Sequence, residues 1–340
     1  MQRRMTTSAE PDATLQAAGR RVPDFFIVGL PKSGTTSLYW MLRQHPQIYL
    51  PDLKEPQYLA SDGPARPYYY ARALPGSPDR RPRAIERPRT LDAYLALFED
   101  ALPEQRAGES STFYLLSHTA AGKIAELQPD ARIIAILREP VSFLRSLHLT
   151  WLLISYETET DLRKAMSLEA ARREGEHIPR GVSRPLVLQY SEHVRYVEQL
   201  RRYRERFPAE NVLVLLYDDL WGDTEATVTR VLRFLDVDET YPLKRVNTNV
   251  TKRSVRSPRL KGLLESIAIR RGPPRPGRAE ALSRKAVRAL RRRFVMGDTP
   301  PLEEGYAHEL RRRFKPEVVA LSEYLDRDLV SLWGYDEVAD

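Results

Sequence analysis

The chain has no cysteine, which excludes disulfides, thiolate metal sites and cysteine nucleophiles. A reducing compartment suits that composition, and a cytoplasmic protein is the expectation. No apolar run approaches the ~18 residues of a membrane helix. The stretch from Met1 to Arg21 has no hydrophobic signal core, so neither a transmembrane segment nor secretion is expected. What is present is ordinary for a globular protein. Hydrophobic residues make up 42% and charged residues 29% of 340 positions, enough for one large core or two small ones. Positive charge is in excess, 54 Lys and Arg against 46 Asp and Glu, for a net +8. Such a balance is compatible with nucleic acid, an acidic membrane surface or a polyanionic small ligand. The runs Arg291-Arg292-Arg293 and Arg311-Arg312-Arg313 read as solvated helix faces.

Strand and helix patterns alternate along the chain. Asp24 to Val28 reads as a strand, and Thr35 to Gln44 as a helix with Leu38, Met41 and Leu42 on its buried stripe. Ala107 to Tyr114 reads as a further strand. Arg132 to Leu137 is a continuous apolar run, as a strand buried on both faces should be. A helix follows from Pro140, a long amphipathic helix is predicted over Tyr190 to Phe207, a strand over Asn211 to Leu216 and a helix over Thr224 to Leu235. The alternation predicts an α/β fold, a doubly wound, mostly parallel sheet flanked by helices in a single domain. That domain is placed at residues 23–334, after a leader at 1–22 read as disordered and before a tail at 335–340. Residues 62–89, rich in Pro, Arg and Tyr without a period, read as a substrate-side insertion. Residues 252–300 read as a basic lid or loop region.

The densest chemical signal is Gly29-Leu30-Pro31-Lys32-Ser33-Gly34-Thr35-Thr36, between the first strand and the first helix. Its spacing is that of a phosphate-cradling loop, G-x-x-x-x-G-K-[ST], which aims backbone N–H groups and a helix N-terminus at an anion. Thr35 stands where a nucleotide triphosphatase carries its lysine, and the lysine sits inside the loop at Lys32. The architecture says phosphate, while the residues argue against ATP hydrolysis.

The core Pro31-Lys32-Ser33-Gly34-Thr35-Thr36-Ser37-Leu38 resembles the 5′-phosphosulfate loop of sulfotransferases, which use 3′-phosphoadenosine-5′-phosphosulfate (PAPS). The resemblance implies that the loop Pro31 to Ser37 binds the co-substrate. Lys32 would contact the bridging oxygen and leaving phosphate, and Thr35 and Thr36 the 5′-phosphate. A second segment, Leu137-Arg138-Glu139-Pro140-Val141-Ser142-Phe143-Leu144-Arg145-Ser146, is similar to the family's 3′-phosphate motif, R-[DN]-P-x-x-R-x-x-S. By position Arg138 and Ser146 take the phosphate-gripping roles, which suit a guanidinium fork and a hydroxyl. The match departs at Glu139, where Asp or Asn is usual, and at Phe143, where Arg is usual. A third segment, Asn247 to Arg256, resembles the late loop that closes over PAPS, and makes Lys252, Arg253 and Arg256 further contacts. The family's product is 3′,5′-ADP (PAP), and it requires no metal.

Sulfuryl transfer also needs a base for the acceptor. Lys54-Glu55-Pro56-Gln57-Tyr58 resembles the K-E-x-x-[FY] element of the family's glycan-modifying branch, whose glutamate is the proposed base, so Glu55 takes that role by position. His118 is the second choice, because cytosolic small-molecule members use a histidine in the corresponding region and imidazole titrates in the right range. Where the glycan branch has E-K-[ST]-P this chain has Glu109-Ser110-Ser111-Thr112, without the lysine and proline, which argues against a heparan-like acceptor. The expected acceptor is a hydroxyl, or less readily an amine, of a carbohydrate, lipid or secondary metabolite. The alternative reading is a P-loop small-molecule kinase using Mg-ATP, with Val212 to Asp219 as its Walker-B strand. A non-catalytic nucleic-acid or membrane binder rests on a basic amphipathic pattern over Ala279 to Phe294, but no nucleic-acid partner is expected.

Overall fold

Apolar residues dominate three of the strand segments, Phe25–Gly29, Arg132–Leu137 and Val212–Leu216, and five strand segments pair edge to edge. The computed structural model describes residues 20–62, 68–71, 83–179, 182–247, 253–255, 296–298 and 301–338. In chain order its strands are β1 (Phe25–Gly29), β2 (Ile48–Tyr49), β3 (Tyr68–Ala71), β4 (Arg83–Glu86), β5 (Arg106–Ser110), β6 (Arg132–Leu137), β7 (Val212–Leu216), β8 (Arg253–Val255) and β9 (Met296–Asp298). One parallel sheet runs β2-β5-β1-β6-β7, flanked by helices. β3 with β4, and β8 with β9, form two antiparallel pairs outside it. The sheet is the doubly wound parallel arrangement expected from the alternation of elements.

The described helices are α1 (Thr35–Leu42), α2 (Leu91–Leu95), α3 (Ala120–Leu127), α4 (Pro140–Leu153), α5 (Leu162–Ser167), α6 (Glu169–Arg173), α7 (Tyr196–Arg204), α8 (Tyr217–Gly222), α9 (Thr224–Phe234), α10 (Glu304–Leu325) and α11 (Leu329–Leu332). None is long and apolar enough to cross a membrane. The chain forms two compact units, residues 1–138 with 198–248, and residues 139–197 with 249–340.

The first unit holds the whole sheet. Ile133 to Leu137 of β6 are fully buried, so helices cover both faces, as its unbroken apolar run requires. On one face Phe25, Ile27, Ile134, Ile136, Leu213 and Leu215 pack against Leu38, Met41 and Leu42 of α1 and Val228, Val231 and Leu232 of α9. Each such side chain contributes about 1.5–3 kcal/mol on burial. β1 is central, and the chain leaves it first toward β2 and β5, then crosses to β6 and β7. The carboxyl ends of β1 and β6 therefore flank a switch point, where open α/β sheets form their ligand crevice.

Two elements differ from the sequence expectation. β5 stops at Ser110, because Tyr114 N–H closes a turn on the Ser111 carbonyl directly after the last ladder bond, from Ser111 N–H to the Ile27 carbonyl. The helix predicted over Tyr190–Phe207 is broken in the second unit. A 3₁₀ turn spans Tyr190–Val194 and α7 starts only at Tyr196. Between them Arg195, at φ −76° and ψ 62°, leaves the helical region, and the Glu169 carboxylate accepts both the Ser191 N–H and its hydroxyl at 2.7 Å. In that unit Tyr335 and Val338 near the C-terminus are buried.

Candidate active site

The loop between β1 and α1 carries the first cluster. Its shape depends on positive φ at Lys32 (65°) and Gly34 (94°). Gly34 precedes α1 as its cap residue, and a Cβ there would stand 2.7 Å from Leu220, so glycine is required for both conformation and space. The N-terminus of α1 has no side-chain cap and no acidic residue in its first turn. The first-turn N–H groups and the positive end of its dipole suit an anion. Ser33 is fully buried and its hydroxyl has no hydrogen-bond partner among the described residues. A buried orphan hydroxyl beside an open helix N-terminus fits a phosphate oxygen. Thr35 and Ser37 are buried, and Pro31, Lys32 and Thr36 are half-buried.

Arg138 emerges from the adjacent end of β6. Its Nη1 donates to the Lys32 carbonyl at 3.0 Å, and its guanidinium carbon lies 4.4 Å from the centre of the Tyr217 ring. The arginine is thus fixed at the rim of the phosphate loop, the place where an acidic residue would hold magnesium in a nucleotide triphosphatase. Tyr217 opens α8 directly after β7, and the buried indole nitrogen of Trp221, one turn on, lies 3.7 Å from where a Cβ on Gly34 would stand, with no hydrogen-bond acceptor among the described residues. Both aromatics escaped the sequence reading, because only the order β1-β6-β7 brings α8 to the loop. Asp218 and Asp219 lie in the first turn of α8, and Asp223 is the residue that caps α9.

The second half of the Arg138 motif belongs to the other unit. Glu139 caps α4, accepting from Val141 N–H at 2.9 Å and Ser142 N–H at 2.6 Å, and it also accepts the Tyr335 hydroxyl at 2.7 Å. The departure from Asp or Asn therefore keeps a capping function. Phe143 is fully buried against His193, a core position within this unit. Ser146 is half-buried on α4. Arg253 begins β8, and Lys252 and Arg256 lie outside the described residues, as does the basic pattern at 279–294.

The loop after β2 carries Glu55. Its N–H donates to the Ser110 carbonyl at 3.0 Å, which seats the loop on the carboxyl end of β5. Glu55 and Gln57 both adopt positive φ, at 63° and 54°, a strain of about 1–3 kcal/mol each that recurs at functional sites. Lys54 is almost fully buried and its Nζ lies 3.0 Å from Glu55 Oε1. The Thr112 hydroxyl lies 3.4 Å from the same oxygen, and Arg87 Nε donates to the Glu55 carbonyl at 2.8 Å. Burial pushes the Glu55 carboxyl up, but the charges of Lys54 and Arg87 and the hydrogen bonds from Lys54 and Thr112 outweigh it and hold the pKa below the usual value. The group is an oriented carboxylate at neutral pH. His118, by contrast, is exposed in the turn before α3, with its N–H on Asp62 Oδ2 at 2.7 Å. Arg87 comes from the end of the segment expected to form a substrate-side insertion, and nothing in its local sequence marks it.

The profile of the sulfotransferase family matches residues 23–241, well over half of the chain. Carbohydrate sulfotransferase 15 of Homo sapiens is 30% identical over 37% of this chain and 27% of its own length. A membrane-associated sulfotransferase of Dictyostelium discoideum, kil1, is 28% identical over 39% and 24%. Heparan sulfate glucosamine 3-O-sulfotransferase 6 of Homo sapiens is 29% identical over 36% and 29%. The matched regions span under a third of these relatives. A solved sulfotransferase from Alicyclobacillus acidocaldarius superposes with a TM-score of 0.61 at 26% identity, covering 92% of this chain and 99% of that one. Family profile, fold and phosphate loop agree, and the chain belongs to the sulfotransferase family.

Proposed function

We propose that this chain is a PAPS-dependent sulfotransferase acting on a hydroxyl group, with carbohydrates the favoured acceptor class. One observation carries the reading: the uncapped helix N-terminus at Gly34 follows directly on Ser33, whose buried hydroxyl has no hydrogen-bond partner among the described residues, and Arg138 donates to the Lys32 carbonyl of the same loop. These groups are all donors, and they suit the phosphates of PAPS. The named acceptors of the relatives, carbohydrate and heparan sulfate, support a glycan.

In the proposed reaction the acceptor oxygen attacks sulfur in line with the bond to the 5′-phosphate. The new S–O bond forms as the S–O bond to the leaving phosphate breaks, with charge growing on the bridging oxygen. Lys32, within the loop, neutralises that charge. Glu55 takes the acceptor proton, a role supported by its ionised state and by the contacts that hold it. Arg138 discriminates in favour of PAP and PAPS over ATP through its fixed fork, and Ser146 keeps its motif role at the 3′-phosphate. Fixed cations do here what magnesium does for phosphoryl transfer.

Titration calorimetry with PAP and with ATP, each with and without magnesium, tests the reading. The expected result is tight, metal-independent PAP binding and weak ATP binding. Magnesium-dependent ATP binding without a PAP signal would instead establish the kinase.

A further inference from the structure

Beneath the loop that carries Glu55 lies a second carboxyl group that the reaction scheme does not use. Glu109, on β5, is fully buried, and neither of its oxygens has a hydrogen-bond partner among the described residues. The groups against it all hold the loop above. Ser111 Oγ accepts the Gln57 N–H at 3.0 Å, and the Tyr114 hydroxyl accepts the Leu59 N–H at 3.1 Å. Each hydroxyl spends a lone pair on the loop backbone and keeps its proton to donate, and both lie beside the Glu109 carboxyl. Tyr94 approaches from α2, stacked on Tyr58 of the loop at 4.9 Å. The Tyr114 carbonyl is itself tied to the Tyr203 hydroxyl of α7 at 2.8 Å, and Tyr203 also senses the Glu109 charge. Lys54, the ion-pair partner of Glu55, acts on Glu109 as well.

We propose that Glu109 is a positioning residue for the base, setting the placement of Glu55 through Lys54, Ser111 and Tyr114. The proposal rests on the reading of Glu55 given above. The Lys54 ammonium, paired with Glu55, also acts electrostatically on the Glu109 carboxyl, and it cannot pair with both when both are ionised. Burial raises Glu109 to about 8, against the pull of Tyr114, Ser111, Lys54 and Tyr94. Below that pH Glu109 is a neutral acid and Lys54 belongs to Glu55. Above it, a Glu109 carboxylate draws the ammonium and both hydroxyls toward itself and away from the loop. The rate should therefore descend as Glu109 ionises.

The test uses the full chain and follows PAP release from PAPS with water as the acceptor, from about pH 6 to 10, beside PAP calorimetry. Glu109→Gln cannot ionise, and it should remove the alkaline descent near pH 8. Glu109→Ala should lower the rate by about 10–100-fold while PAP affinity stays within about twofold. A Glu109→Gln profile that keeps the wild-type descent overturns the proposal. So does a Glu109→Ala enzyme of full rate, or one whose PAP affinity falls in parallel with its rate, as a merely structural role would have it. If Glu109→Ala does not fold, the Glu109→Gln profile decides alone. Glu55→Gln separates the two readings. Retained turnover in that variant removes the base itself, whereas an inactive Glu55→Gln beside an unshifted Glu109→Gln removes only the role of Glu109.

Discussion

Arg138 Nη1 donates to the main-chain carbonyl of Lys32 at 3.0 Å, so the residue assigned to grip one phosphate of PAPS also braces the loop assigned to the other. The guanidinium is held from a second side by the Tyr217 ring, 4.4 Å away. A planar cation fixed at two points is pre-organised for a fork-like contact, and little freedom remains to be lost on binding.

Arg138 and Lys32 should therefore fail differently. Arg138→Ala should weaken PAP binding by about 10–100-fold, the worth of a charged hydrogen bond, and Arg138→Lys should restore little because it lacks both fork and stacking plane. Lys32→Ala should cut turnover by at least about 100-fold and alter PAP affinity only severalfold. Calorimetry alongside PAP-release rates reads both quantities, and an exchange of the two patterns would refute the assignment.

Lys54 sets where Glu55 titrates. The Glu55 pKa lies below its ordinary value, so its ion pair stabilises the fold above the ordinary carboxylate range and ceases to do so as pH falls through the folded value. In Lys54→Met the main opposing charge to burial is gone and the pKa rises. The acid limb of the PAP-release profile should move to higher pH. A limb that stays in place would show that Glu55 is not the group that titrates there.

In the second unit Arg172 and Glu157 form a fully buried bidentate pair, Nη1 to Oε2 at 2.7 Å and Nη2 to Oε1 at 2.8 Å. Arg172→Met should destabilise the chain by about 3–5 kcal/mol in urea unfolding, because it leaves a buried carboxylate without its counter-charge. Arg172→Met with Glu157→Leu should recover most of that loss. Burial raises the Glu157 pKa, yet Arg172 and the backbone N–H groups of Glu159 and Thr158 bring it below its usual value. Its stabilisation is therefore present above the ordinary carboxylate pKa and lost as pH falls through the folded one. The double variant should lose less stability in acid than wild type. Equal acid sensitivity would assign that loss to other groups.

Local elements followed from local sequence where one segment contained the whole cause. The apolar run Arg132–Leu137 made a central strand, and Pro140 started α4 at its first position. The phosphate loop was legible because strand, glycine and helix N-terminus are contiguous, and contiguity is enough to aim backbone N–H groups at one point. The helix expected over Tyr190–Phe207 instead breaks at Arg195, whose backbone leaves the helical region at φ −76° and ψ 62°, and the local sequence, without proline or glycine there, gives no mark of it.

The chain by itself determined the alternating elements, the parallel sheet they must form and the glycine-bounded loop between the first strand and the first helix, since each depends on periodicity or on neighbours in sequence. Only the tertiary structure decided what surrounds those groups. Strand order placed Arg138 and Tyr217 at the loop between β1 and α1, and the hydrogen bond from Glu55 N–H to the Ser110 carbonyl seated the loop of Lys54 and Glu55 on β5, beside the Glu109 position. The physical reason is that charge state and orientation depend on burial and on partners distant in sequence, and neither exists until the sheet has closed over them.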